Sequence, residues 1–124
     1  HAHPVVRYYE MDAVTHEFPA DRYDVVLWFE GLEHLSDEHA AVVLGRIKKA
    51  IGQEGVLFGS TPLVPKERQG LGNVEHQHEF ATPDEARARL LRDFAEVQID
   101  VTVYPLHEGG ERRTAYFTAR RPRT

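Results

Sequence analysis

An α/β fold, with a mostly parallel sheet that closes in an antiparallel hairpin, follows from three features of the sequence. Asp24-Val25-Val26-Leu27-Trp28-Phe29 is apolar at successive positions and then breaks into Glu30, Glu33 and His34. Successive apolar positions mark a strand covered on both faces in a parallel sheet, and such sheets place their ligands at the carboxyl ends of the strands. Helical and strand-like patterns then alternate through the middle of the chain. Beyond residue 96 the apolar period becomes two on either side of Gly109-Gly110, the pattern of a hairpin.

Val5 to Tyr9 is a short β-branched and aromatic run that reads as a strand, and the polar stretch through Phe18-Pro19 to Asp21 reads as a loop. Tyr23 to Phe29 should be the central strand. Ser36 is then a helix N-cap with Asp37 and Glu38 in the first turn. Ala40, Val43, Leu44, Ile47 and Ile51 follow at three- and four-residue steps, while Arg46, Lys48 and Lys49 sit near the helix's negative end. Gly52 or Gly55 should stop it. Gly55 to Thr61 reads as a second buried strand, closed by Pro62, and Leu63 to Phe80 as a long connector of the kind that carries function in a small domain. Thr82-Pro83-Asp84-Glu85 starts another helix, expected to reach about Asp93. Val97, Ile99, Val101 and Val103 alternate with polar residues up to Tyr104, and Ala115, Phe117 and Ala119 do the same between Arg113 and Arg120.

A chain of 124 residues fits one domain and buries roughly two thirds of its unfolded surface. Lys plus Arg number 15 against 20 Asp plus Glu, so a net charge of −5 argues against nonspecific binding to nucleic acid. Only Arg120-Arg121-Pro122-Arg123 is locally basic. Cysteine is absent, which excludes disulfides and thiolate metal sites. With no apolar stretch of about 18 residues and no signal-like segment, the expectation is a cytoplasmic protein without a membrane partner.

Glu30, Glu33 and His34, with His76 or His78 from the connector, form the sharpest chemical constellation. Oxygen-rich ligands with one or two imidazoles suit Mg²⁺ or Mn²⁺, which could hold two substrate hydroxyls and lower the pKa of one. Without metal, His34 serves as a general base, with Glu33 beside it. Both readings stay open. In an extended segment His76 and His78 point to the same side. His1 and His3 belong to a terminus, and His16, His39 and His107 lie in polar contexts without evident partners. Trp28 and Phe29 read as core. A hydrolase built on Ser60 and His34 is disfavoured, because Gly59-Ser60-Thr61 lacks the glycine two positions after the serine that a nucleophile elbow uses.

Tyr8-Tyr9-Glu10-Met11-Asp12-Ala13, Tyr23-Asp24-Val25-Val26, Glu30-Gly31-Leu32-Glu33-His34-Leu35, Gly55-Val56-Leu57-Phe58-Gly59-Ser60-Thr61-Pro62, His76-Gln77-His78-Glu79-Phe80 and the closing hairpin follow one another in order. Together they resemble the latter part of class I S-adenosylmethionine-dependent methyltransferases over nearly the whole chain. The resemblance implies a Rossmann-like, seven-stranded sheet with one antiparallel strand, truncated here at the N-terminus. The strand and glycine-rich turn that open such domains, and the acidic residue that holds the ribose, are not in this sequence. Losing those strands should expose one edge of the Tyr23 to Phe29 strand, to be covered by Val5 to Tyr9, a second copy, or a complementing N-terminal segment.

The resemblance also places Asp12 at the adenine amine of S-adenosylmethionine, Ala13 beside the ring, and Phe29 and Glu30 near the methionine end. Glu-x-x-Glu-His is shared with ubiquinone-biosynthesis O-methyltransferases and with enzymes that methylate the 3′-terminal 2′-hydroxyl of small RNAs. The second group also carries a His-x-Phe, echoed by His78-Glu79-Phe80, but Leu63 stands where it has Asn after Thr-Pro. The expected activity is O- or N-methylation of a small molecule, incomplete in this chain alone. The alternatives are a non-catalytic interaction or dimerisation module and a metal-dependent RNA 2′-O-methyltransferase.

Overall fold

In the computed structural model, which describes residues 5–72 and 75–124, a strand Val25–Phe29 (β1) leads through a 3-10 turn, Leu32–His34, into a helix, Asp37–Ile51 (α1). Next come Val56–Leu63 (β2), a 3-10 turn at Lys66–Arg68, the helix Pro83–Leu91 (α2) and the paired strands Phe94–Pro105 (β3) and Glu111–Pro122 (β4). The sheet order is β1-β2-β4-β3. β1 and β2 are parallel, from Val25 opposite Val56 to Phe29 opposite Ser60, with α1 as the crossover. β4 lies antiparallel to both β2 and β3, so the hairpin returns the chain into the sheet. This is the expected α/β arrangement. His1 and His3 lie outside the described residues.

The helices start where their caps dictate. Ser36 Oγ accepts from the His39 N–H, and Thr82 Oγ1 accepts from the Glu85 N–H while Glu85 Oε1 receives the Ala81 N–H. Gly52 ends α1 at φ 60, a left-handed backbone that costs glycine little. α2 ends at Leu91, two residues short of the expected Asp93. Instead Asp93 accepts the Arg89 guanidinium and Lys48 Nζ, tying both helices together. Val43, Leu44, Ile47 and Ile51 of α1 and Ala86 and Leu90 of α2 form one core cluster with Leu57, Phe94 and Phe117 from the sheet. Burying each large side chain contributes about 1.5–3 kcal/mol.

Several expectations are corrected. Val5–Tyr9 is no strand: it lies outside the sheet with its side chains exposed, and apolar, β-branched composition alone does not make a strand without packing against neighbours. The strand expected at the centre is an edge strand among the described residues, and it is covered on one face only. Val26 and Trp28 pack on the core, whereas Val25, Leu27 and Phe29 are 53%, 62% and 49% exposed. Pro62 does not close β2. The strand continues to Leu63, with Pro62 opposite Thr114. No helix of the described residues is long and apolar enough to cross a membrane.

Candidate functional site

The site begins at the carboxyl end of β1. Glu30 adopts φ 51, which costs a non-glycine residue about 1–2 kcal/mol, and its N–H donates to the Ser60 carbonyl at 2.8 Å. The chain therefore turns sharply off the sheet. At Gly31 a Cβ would lie 2.0 Å from Trp28 Nε1, so only glycine lets the indole pack against the turn. Leu32 and Glu33 are then driven inward, at 2% and 1% exposure.

Glu33 is the centre of the site. Its Oε1 accepts from the Thr61 hydroxyl at 3.1 Å, and its Oε2 faces His34 Nε2 at 3.8 Å and His76 Nε2 at 4.0 Å. The two imidazole rings meet edge-to-face with centroids 4.8 Å apart. Glu79 Oε2 accepts from His76 Nδ1 at 2.8 Å, and Glu79 Oε1 from the Gly70 N–H at 2.7 Å, so one carboxylate orients the ring and joins two parts of the connector. The Glu33 carbonyl receives the N–H groups of Gln77 and His78, at 2.8 and 3.1 Å. Burial raises the Glu33 pKa above its ordinary value, opposed by a backbone hydrogen bond, the Thr61 hydroxyl and the two histidines. The His76 hydrogen bond lowers that of Glu79.

Glu33, His34 and His76 each present one donor atom within 4.8 Å of the others, on the wall of a cavity of about 760 Å³ roofed by the connector. The other predicted ligands lie outside this cluster, although Glu30 lines the same cavity. Glu30 pairs with Arg112 of β4, and the His78 ring lies tilted against Phe80 at 4.8 Å. His76 and His78 diverge because their N–H groups' segment bends around the Glu33 carbonyl rather than running extended. Thr61, Glu79 and Arg112 complete the surroundings and were not anticipated. Glu79 could have been suspected from its position three residues after His76, but nothing in the sequence pairs Arg112 with Glu30.

Asp12 heads a tight turn in which its Oδ1 accepts the Val14 N–H at 2.8 Å and its carbonyl those of Thr15 and His16. Arg46 of α1 holds the turn through the carbonyls of Ala13 and His16. His16, expected to lack partners, bonds Thr15 Oγ1 at 3.0 Å. Phe29 packs edge-to-face on Phe58 with centroids 5.6 Å apart, on the open sheet face rather than in the core.

No family model matches the sequence, and no curated protein matches it. Solved structures do. SibL, an S-adenosylmethionine-dependent methyltransferase, aligns with 91% of this chain at TM-score 0.63 and 20% identity. A candidate methyltransferase from Bacillus halodurans aligns with 98% at TM-score 0.68 and 12% identity, and the DhpI-SAM-HEP complex with 90% at TM-score 0.56 and 18% identity. The chain spans 35% of SibL, 74% of the Bacillus protein and 56% of DhpI. The fold, a mixed sheet with its antiparallel hairpin at the end, is thus the one found in SibL and the Bacillus methyltransferase candidate.

Proposed function

We propose that this chain carries the acceptor side of an S-adenosylmethionine-dependent methyltransferase that modifies an oxygen or nitrogen of a small molecule. The observation that carries the reading is the apposition of buried Glu33 with His34 and His76 on a cavity wall, beyond the carboxyl ends of two parallel strands, in a methyltransferase fold. S-adenosylmethionine supplies an electrophilic methyl group when bound. Asp12, Ala13, Phe29 and Glu30 are the residues that would face it, although Glu30 must first leave Arg112. His34 takes the acceptor's proton as the new bond forms, and Glu33 stabilises the resulting imidazolium. The open edge of β1 and its exposed Val25, Leu27 and Phe29 support a second copy or complementing segment as the partner that completes the sheet.

A second reading rests on the same donor atoms. Glu33, His34 and His76 suit a divalent ion, and one carboxylate with two imidazoles favours Mn²⁺ over Mg²⁺. Glu79 on His76 Nδ1 and Thr61 on Glu33 are the outer contacts that such a site uses to fix its ligands. Calorimetric titration with S-adenosylhomocysteine, with and without Mn²⁺, tests both readings. Binding near micromolar strength, about −8 kcal/mol, is expected for the cofactor reading, and its absence at millimolar ligand overturns it for this chain. Mn²⁺ heat that disappears in His76→Ala is the outcome expected of the metal reading.

A further inference from the structure

We propose that the methyl acceptor is an anion, and that its acidic group exchanges with Glu30 for the guanidinium of Arg112. The inference rests on the methyltransferase reading only in naming the ligand an acceptor; the anion site itself is argued from the cavity. Besides Glu33, His34 and His76, that cavity is lined by Arg68, Arg112 and Arg113 and by Glu30, Glu79 and Glu111. The three arginines meet four carboxylates there, of which Glu30 and Glu111 already pair with Arg112 and Arg113, so an acidic ligand has to replace a carboxylate rather than fill an empty cationic site. None of the three arginines is firmly committed. Arg68 has no ion pair among the described residues. Arg113 reaches Glu111 at 3.4 Å with both side chains more than half exposed. Exposed pairs of that kind contribute only about 0–1 kcal/mol, so a ligand can replace them.

The Glu30–Arg112 pair is the one at the boundary. Both residues also line a second cavity of about 500 Å³, walled by Phe29, Tyr104 and Tyr116. The pair therefore sits between the cavity that holds Glu33, His34 and His76 and the space beside Phe29. Its contact is one oxygen on one nitrogen, between side chains 40% and 53% exposed, and Glu30 makes it from a left-handed backbone. A free carboxylate or phosphonate can instead approach the guanidinium with two oxygens, the geometry that a planar fork favours. Glu30 thus acts as an internal stand-in for the acceptor's acidic group. Repulsion from Glu79 is blunted by His76 and the Gly70 N–H, and Glu33 is turned toward Thr61.

The test compares 3-hydroxybenzoate, its neutral isostere 3-hydroxybenzamide, and inorganic phosphate by calorimetry and by the shift of the Arg112 side-chain N–H resonance, without cofactor. The two anions are expected to bind in the millimolar range and the amide about tenfold more weakly. Arg112→Gln should abolish the preference for the acid. Glu30→Gln should tighten anion binding, a sign that a merely structural role for Glu30 would not produce. Equal binding of acid and amide, no binding of either anion at millimolar concentration, or weaker binding in Glu30→Gln overturns the proposal. Failure of the methyltransferase reading registers separately, as an absent S-adenosylhomocysteine heat beside an intact anion response.

Discussion

Glu30 and Glu33 stand three residues apart on one turn, and the fold treats them in opposite ways. Glu33 is 1% exposed, held by a neutral hydroxyl and flanked by two imidazoles too distant for hydrogen bonds. Glu30 is half-buried, 40% exposed, and meets a full guanidinium charge. The difference arises at Gly31, where the chain passes against Trp28 and rotates the next turn inward. A carboxylate that stays buried without a full counter-charge has a costly ionised form, which is the condition for a group poised to assist chemistry. A partly solvated carboxylate on arginine is cheap to keep and easy to exchange.

The contrast breaks most visibly at Thr61. Thr61→Val preserves shape but leaves the buried Glu33 oxygen without its donor, and should cost about 1–3 kcal/mol in urea unfolding at neutral pH. A loss as small as that of an exposed pair would mean that water reaches Glu33. The pH dependence of Glu33→Gln comes next in size. Because the folded-state pKa of Glu33 is raised above 4.5, the native state holds this proton more tightly than the unfolded chain. Its effect on stability is therefore most favourable below about 4.5, is lost as pH climbs through the folded pKa, and is constant beyond. Glu33→Gln should gain on the wild type across that window and then level off. Asp37, whose pKa is lowered by Arg92 and Arg89, shifts stability in the opposite sense but outside the Glu33 cluster, and cancels in the difference; Glu79, also lowered, shares His76 with Glu33 and is coupled to it.

Local signals were legible where local physics decides. Ser36 and Thr82 cap the helices as read, and the hairpin follows from alternation that survives because one face of β3 and β4 is buried. Tyr23–Phe29 contains the expected strand, Val25–Phe29, with the expected exposed edge, but it is neither central nor covered on both faces, and Val5–Tyr9 forms no strand: apolar character predicts a strand that can be covered, whereas whether a neighbour covers it is a tertiary fact. Glu33 and His34 were recognisable by their place after an apolar strand. Choosing His76 over His78 needed the backbone bend around the Glu33 carbonyl, and moving Glu30 from the cluster to Arg112 needed its left-handed φ and a contact spanning 82 positions of sequence.

The smallest effect belongs to Glu30. Glu30→Gln removes an exposed ion pair and should change stability by no more than about 0.2–1 kcal/mol, shrinking further as salt is raised. Glu30→Gly should match or exceed it in stability, because the left-handed backbone then carries no side-chain strain. Urea unfolding of both variants at low and high salt measures this directly. A salt-independent loss above about 2 kcal/mol in Glu30→Gln would place Glu30 with Glu33 as a structural carboxylate rather than an exchangeable one. The distinction matters for chemistry, since Arg112 is free to receive an acidic ligand only if releasing Glu30 costs little.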